Sequence, residues 1–235
     1  MGEHTVSSFD EELDHIDKLI REMADLSSSM VAASIRALLA SDQGAAQRVI
    51  SDDALMDAHQ RELDNRAITL IALRQPMAQD LRSVLGAIRM AADFERIGDL
   101  AKNVAKRVGA VGQSTVSAEL SHGILDMSEL VLGQISGVTN AYIGRIPGDL
   151  PALRVNDEAI DRRYTSIFRE LLTYMMEDPR NITSCTHLLF CAKNLERIGD
   201  HATNIAENAY YILTGQQLPA YRPKLDETAM VMSAE

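Results

Sequence analysis

Apolar residues recur at steps of three and four through almost the whole chain. From Phe9 they fall at Leu13, Ile16, Ile20 and Met23, then at Met30, Ile35 and Leu38, a spacing that lines one face of an α-helix. Strictly alternating β-branched runs, the mark of half-buried strands, are scarce. Turn-forming residues punctuate the pattern at Ser41-Asp42-Gln43-Gly44, Gln75-Pro76, Gly109–Ser114, Gly144–Pro151, Asp178-Pro179 and Thr214-Gly215. Cutting there leaves six helical segments of about 25–33 residues, longer than the usual globular helix and suited to a bundle.

The chain repeats itself. DFERIGDLAKN at 93–103 returns as NLERIGDHATN at 194–204, an offset of 101 between Glu95 and Glu196. Upstream, Asp53-Ala54-Leu55-Met56-Asp57 corresponds to Asp157-Glu158-Ala159-Ile160-Asp161, and Pro76 corresponds to Pro179. Self-similarity at this scale predicts an all-α fold of two tandem three-helix bundles related by internal duplication. The expected division is residues 1–112, residues 113–215 and an irregular tail, 216–235, containing Pro219 and Pro223.

Each half carries two acidic pairs at i, i+4: Asp53/Asp57 with Glu95/Asp99, and Asp157/Asp161 with Glu196/Asp200. Such a pair lies on one helix face, one turn apart. With 34 acidic residues in 235, roughly five such pairs arise by chance, so a lone pair means little. Their register means more. In an antiparallel hairpin, residues equidistant from the turn come level. The first two pairs centre on 55 and 97, with their midpoint at Pro76; the second two centre on 159 and 198, with their midpoint inside Asp178-Pro179. Each half therefore sets four carboxylates face to face.

Four facing carboxylates repel one another unless they are protonated, paired with cations from the protein, or bound to a metal ion. Arg96 and Arg197 beside the motifs supply the first alternative, an ion-pair network. The second is a metal centre, because hard oxygen ligands at i, i+4 on adjacent helices are how bundles build carboxylate sites. All-oxygen ligands suit iron, manganese, magnesium, zinc or calcium, and the ligand types do not choose among them. Gly98 and Gly199 permit close helix approach or leave open space beside the acids, and Asn103 and Asn204 follow one turn on. Reflecting each site through the preceding turn places Ser27-Ser28-Ser29 opposite the first and Gln134 and Ser136 opposite the second.

Composition narrows the class of function. Aromatics are 4% with no Trp, so the core is aliphatic helix packing. A net charge of −11 argues against a nucleic-acid binder, which needs a basic face. Cys185 and Cys191, six apart, match no metal or redox spacing and read as buried free thiols. No apolar run looks long enough for a transmembrane helix. The acidic start lacks a signal peptide's basic and apolar regions, and Val6 breaks the myristoylation pattern. A cytoplasmic location is expected.

A ferritin-like metal-storage or redox protein is the rival reading. Its Glu-x-x-His signature occurs at Glu12…His15 and Glu119…His122. Reflected through the first turn, His15 lies level with residue 70, about 22 Å from the acids, and His122 is displaced likewise. His59 and His201 point off the faces of the motif acids. Hydrolytic triads, phosphate loops and dinucleotide glycine patterns are absent from the sequence, so no enzyme is expected.

Doubled Glu-Arg-Ile-Gly-Asp motifs, each paired with an Asp-x-x-x-Asp on the preceding helix, resemble the PhoU family of phosphate-specific transport system accessory proteins. The resemblance spans about residues 8–215. It implies a cytoplasmic negative regulator of the phosphate-starvation response. Its implied partners are the ATPase subunit of a phosphate ABC transporter and a membrane sensor histidine kinase, which it reaches without entering the membrane itself. It also implies multinuclear sites for divalent or trivalent metal ions such as iron, zinc, manganese or magnesium. Those sites fall here at Asp53, Asp57, Glu95 and Asp99, and at Asp157, Asp161, Glu196 and Asp200. Metals would then fix helix spacing and shape an acidic face for partners; a metal-free helical adaptor, whose acids touch partner Arg or Lys directly, is the alternative. A homodimer is left open.

Overall fold

The computed structural model describes residues 2–111, 118–155 and 157–218, with side chains for 11–111, 120–154 and 157–218. All regular structure among them is helical: α1 (Gly2–Ala40), α2 (Gln43–Arg74), α3 (Gln79–Ala105), α4 (Val108–Val111), α5 (Ala118–Ile143), α6 (Leu150–Val155), α7 (Asp157–Glu177) and α8 (Ile182–Thr214). Helices α1, α2 and α3 form one three-helix bundle and α5, α7 and α8 the other. The six long helices are thus two tandem bundles. Their lengths depart from expectation at both extremes: α1 has 39 residues and α7 has 21.

The stripe read from the sequence is the buried face of α1. Ile16, Ile20, Met23, Met30, Ile35 and Leu38 are all buried, and Leu13 packs against them. Part of this helix, Glu11–Ala40, is long and apolar enough by composition to cross a membrane, contrary to the sequence reading. Half of it is buried inside the bundle, where its apolar side chains serve as core.

Duplication extends to the turns. At the end of α1, Asp42 N–H donates to Ala37 C=O (2.9 Å) and Ser41 N–H to Leu38 C=O (3.3 Å), with Ser41 at φ 53°. At the end of α5, Ile146 N–H donates to Ala141 C=O (2.8 Å) and Arg145 N–H to Tyr142 C=O (3.1 Å), with Arg145 at φ 55°. Both are Schellman closures, in which a left-handed residue lets two backbone amides satisfy the last carbonyls. Asp42 then caps α2, its carboxylate accepting from Ala45 N–H at 2.9 Å.

The break expected at Gly109–Ser114 begins earlier. The chain turns at Lys106-Arg107, and Val108–Val111 form α4, whose Val108 and Val111 are buried, with α4 packing mainly on α8. Residues 112–117, which include the expected boundary between repeats, lie outside the described residues, as does the tail beyond 218 with Pro219 and Pro223. The bundles are not separate bodies: one hydrophobic core runs through both. The most extensive packing in the chain is α3 against α8, joined by α1 against α5. Gly86 permits that approach, since a Cβ there would lie 2.4 Å from Ile212 Cγ1. The two acid motifs, carried by α3 and α8, therefore sit on adjacent central helices.

Candidate functional site

The first cluster joins α2 to α3. Asp53 and Asp57 come from α2, Glu95 and Asp99 from α3, and the cation between them is Lys102. Its Nζ donates to Asp53 Oδ2 at 2.6 Å and Asp99 Oδ1 at 2.5 Å, bridging the two helices. Only 18% of that side chain is exposed. Burial alone opposes the ammonium charge, but the hydrogen bonds to Asp53 and Asp99 and their negative charge outweigh it and raise its pKa. Glu95 is pushed above the usual carboxylate range, first by burial and then by Asp99; Arg96 acts against this, while Asp57 and Asp53 add to it. Arg96 lies 3.4 Å from Asp99 and Arg61 3.8 Å from Asp57, both from exposed positions. Beside Gly98 there is little space, because Met56 and Met30 fill it.

The second cluster has the same acids in a different setting. Asp157, Asp161 and Glu196 are buried, and Asp157 stands in the first turn of α7, where exposed amides favour a carboxylate. Glu196 Oε1 accepts from Lys193 Nζ at 2.9 Å, but Oε2 is buried with no hydrogen-bond partner. Burial pushes this carboxyl up; Lys193 opposes that, and Asp200 and Asp161 add to it. From α5, Gln134 donates through Nε2 to Thr203 Oγ1 (2.9 Å) and to Leu153 C=O (3.4 Å). Its Oε1 is also buried without a partner, as is Thr165 Oγ1. A Cβ on Gly199 would lie 2.9 Å from Ile160 Cδ1, 3.3 Å from Asp157 Oδ1 and 3.5 Å from Gln134 Oε1, so both oxygens lie beside that glycine, with Ile160 packed closest against it.

Orphaned buried acceptors each cost about 1–3 kcal/mol, and a cation among them would recover that cost. The oxygen chemistry of the second cluster fits a hard metal ion. The first cluster fits less well, because an ammonium already spans its two helices. Among the described residues, no group of three or more His, Cys, Asp or Glu side chains is drawn together closely enough to hold a metal ion. The acids are gathered in both halves but not closed into a coordination shell.

Several sequence expectations need correction. Ser27 is buried with its hydroxyl turned to Ala24 C=O (2.9 Å), and the side of α1 toward Gly98 is Met30, not a small polar residue. Ser136 is exposed, leaving Gln134 as the α5 residue at the second cluster. Asn204 does not turn to its own cluster: its Nδ2 reaches Asp93 Oδ1 at 3.4 Å, where His201 Nδ1 also lies at 2.9 Å. Arg96 is not the principal partner of the first acids; Lys102, unremarked in the sequence, is. The signal was present: Lys102 lies three residues beyond Asp99 on the same face, and its counterpart in the second copy is Thr203.

The ferritin-like signature is disassembled. Glu12 pairs with Arg66 at 3.3 Å and His15 lies 3.8 Å from Glu62. His15 is thus eight residues nearer the acids along α2 than level reflection predicts, because crossing helices do not stay level along their length. It still faces Glu62 and not the cluster. His59 lies 3.8 Å from Glu22, and the side chain of Glu119 lies outside the described residues.

Fold and site define a class: a duplicated three-helix bundle with a facing carboxylate cluster in each copy. Known proteins of this build share the sequence as well. The PhoU domain model matches this chain twice, over residues 20–108 and 124–209. A protein of Rhizobium meliloti (strain 1021), described as a phosphate-specific transport system accessory protein PhoU homolog, is 56% identical over 230 residues, covering 98% of this chain and 97% of its own. A Caulobacter vibrioides protein of the same description is 46% identical over 226 residues, covering 96% and 98%. The crystal structure of PhoU from Pseudomonas aeruginosa superposes with a TM-score of 0.84 at 32% identity, over 88% of this chain and 100% of that one. The phosphate transport system regulatory protein PhoU from Streptococcus pneumoniae gives 0.82 at 26% identity, over 90% and 99%. The chain belongs to the PhoU family.

Proposed function

We propose that this chain is a non-catalytic cytoplasmic regulator of phosphate uptake and signalling. It couples the ATPase subunit of a phosphate ABC transporter to the sensor histidine kinase of the phosphate response. When phosphate is plentiful it restrains uptake and represses the starvation response. The observation that carries this reading is likeness along nearly the whole length to accessory proteins of phosphate-specific transport systems, in both repeats. A ferritin-like storage or redox role draws no support from it.

The acid clusters are the part of the molecule through which such coupling is tuned. In the second, Asp157, Asp161, Glu196 and Asp200 would hold a divalent or trivalent ion, aided by the carbonyl of Gln134; the orphaned Oε2 of Glu196 and Oε1 of Gln134 support this assignment. Asp53, Asp57, Glu95 and Asp99 are the corresponding set in the first. A bound ion supplies positive charge that lets facing acids sit together. The chain's own residues do the rest: α7 and α8 present the acids at a fixed spacing, and Gly199 lets Ile160 of α7 pack closely against α8 beside them.

The test is a pull-down of the tagged full chain from phosphate-replete cells. The transporter ATPase and the kinase should both be recovered, and recovery of neither would overturn the reading.

A further inference from the structure

Acids are 34 of the 235 residues, yet none occurs from Leu100 through Ala118 or from Pro179 through Leu195. The fold brings these two stretches together: α4 packs on α8, and Arg107, in the turn before α4, reaches across to His187 and Phe190 of α8. Arg107 Nη1 lies 3.1 Å from His187 Nδ1. A guanidinium only donates, so that ring nitrogen accepts and the imidazole is neutral. The guanidinium carbon stands 4.4 Å from the centre of the Phe190 ring, a residue 50% exposed. Arg107 Nε is buried with no hydrogen-bond partner. Among the described residues no carboxylate pairs with Arg107 or with the exposed Lys106 beside it. The acids that bound the two stretches already hold cations of their own: Asp99 has Lys102, Asp178 has Arg180 and Glu196 has Lys193.

We propose that Lys106, Arg107 and Phe190 form a docking site for an acidic segment of a partner protein, whose carboxylates meet the two cations while an apolar neighbour covers the phenyl ring. This rests on the reading that the chain couples two partner proteins. Charge complementarity selects the occupant. The chain as a whole carries −11, so an acidic partner finds its complement at the pole where cations outnumber acids. An arginine laid on an exposed aromatic ring is the kind of anchor that dominates protein interfaces. Two cations are too few to hold so acidic a chain on a nucleic-acid backbone or an anionic bilayer.

The test compares tagged full chains in a pull-down from phosphate-replete cells, with the transporter ATPase and the kinase quantified and folding checked by circular dichroism. Arg107→Glu and Phe190→Gln should each cut recovery of at least one of the two about tenfold. Lys106→Glu, at an exposed position with no described partner to lose, should cut the same recovery about threefold and guards against a folding defect in the other variants. Arg89→Glu, the same change of charge at an exposed site elsewhere on α3, should leave recovery unchanged. Native recovery from folded Lys106→Glu and Phe190→Gln chains would overturn the proposal while leaving the regulatory reading intact, as would an equal loss from Arg89→Glu. Binding of the native chain to phosphatidylglycerol vesicles that the same variants abolish would also overturn it, in favour of a lipid surface. Failure of the native chain to recover either protein would instead overturn the coupling reading and the proposal with it.

Discussion

Asp93 of the first motif and His201 of the second meet across the central helix pair, with Asp93 Oδ1 2.9 Å from His201 Nδ1. The contact joins residues in which the copies differ. Asn194 replaces Asp93 in the second motif, and Leu100, which is buried, replaces His201 in the first. Asn204 Nδ2 adds a longer bond to the same oxygen, 3.4 Å. The bridge runs one way only, from the first repeat to the second. Asp93→Ala removes the acceptor from both partners and should lower the unfolding free energy by about 1–2 kcal/mol. Asp93→Asn, which keeps an oxygen in place, should cost less. Urea unfolding of the two variants against the native chain measures the difference.

Packing between the repeats depends on Gly86. A methyl group there would come within 2.4 Å of Ile212 Cγ1 and 2.5 Å of its Cδ1. Gly86→Ala should destabilise the chain by about 1–3 kcal/mol despite the better helix propensity of Ala. Adding Ile212→Val should recover part of that loss, and a double-mutant cycle on thermal or urea unfolding gives the coupling.

Both thiols should be silent in the folded protein. Cys185 and Cys191 are buried and free; burial raises both, pushing Cys191 up to about 12 with Arg107 acting against it. A native thiol pKa above the unfolded value means that the folded chain holds its proton longer. The stability from the Cys191 thiol is therefore complete below the ordinary value of 9.0 and is lost as pH rises from there toward about 12. At pH 8 a thiol-reactive chromophore should label neither cysteine in the native chain and both after denaturation.

Glu196 should respond oppositely with and without metal. Its Oε2 is buried without a partner, so Glu196→Gln in metal-free protein should change the melting temperature little or raise it. Saturating Mn2+ stabilises a native state that binds it, by about 2.7 kcal/mol at a hundredfold excess over Kd. Native protein should show that rise in melting temperature, and Glu196→Gln should lose it.

The fold was legible because helical periodicity and duplication state the same thing twice. The hairpin arithmetic needed only positions relative to Pro76 and Pro179, and in the structure Asp53 shares Lys102 with Asp99 while Glu95 feels Asp53 and Asp57. What periodicity could not supply was the third dimension. The sharing of one core by two bundles depends on α3 meeting α8, a contact between faces with no sequence register to reflect through. Lys102 is invisible in the shared motif because its counterpart is Thr203, and the charge balance of each site lies in the positions at which the copies differ. His15 fell eight residues from its expected level because reflection assumes parallel axes. Of the two readings of Gly98, close approach is the one the structure has: Met56 and Met30, flexible apolar side chains, fill a gap that the neighbouring serines suggested was polar.

The regulatory role is tested most directly by deleting the gene for this chain in its own host and measuring alkaline phosphatase expression in phosphate-rich medium. The account predicts that expression rises to the level of starved cells and falls again when the full chain is supplied in trans. Expression that stays repressed without the chain would contradict it.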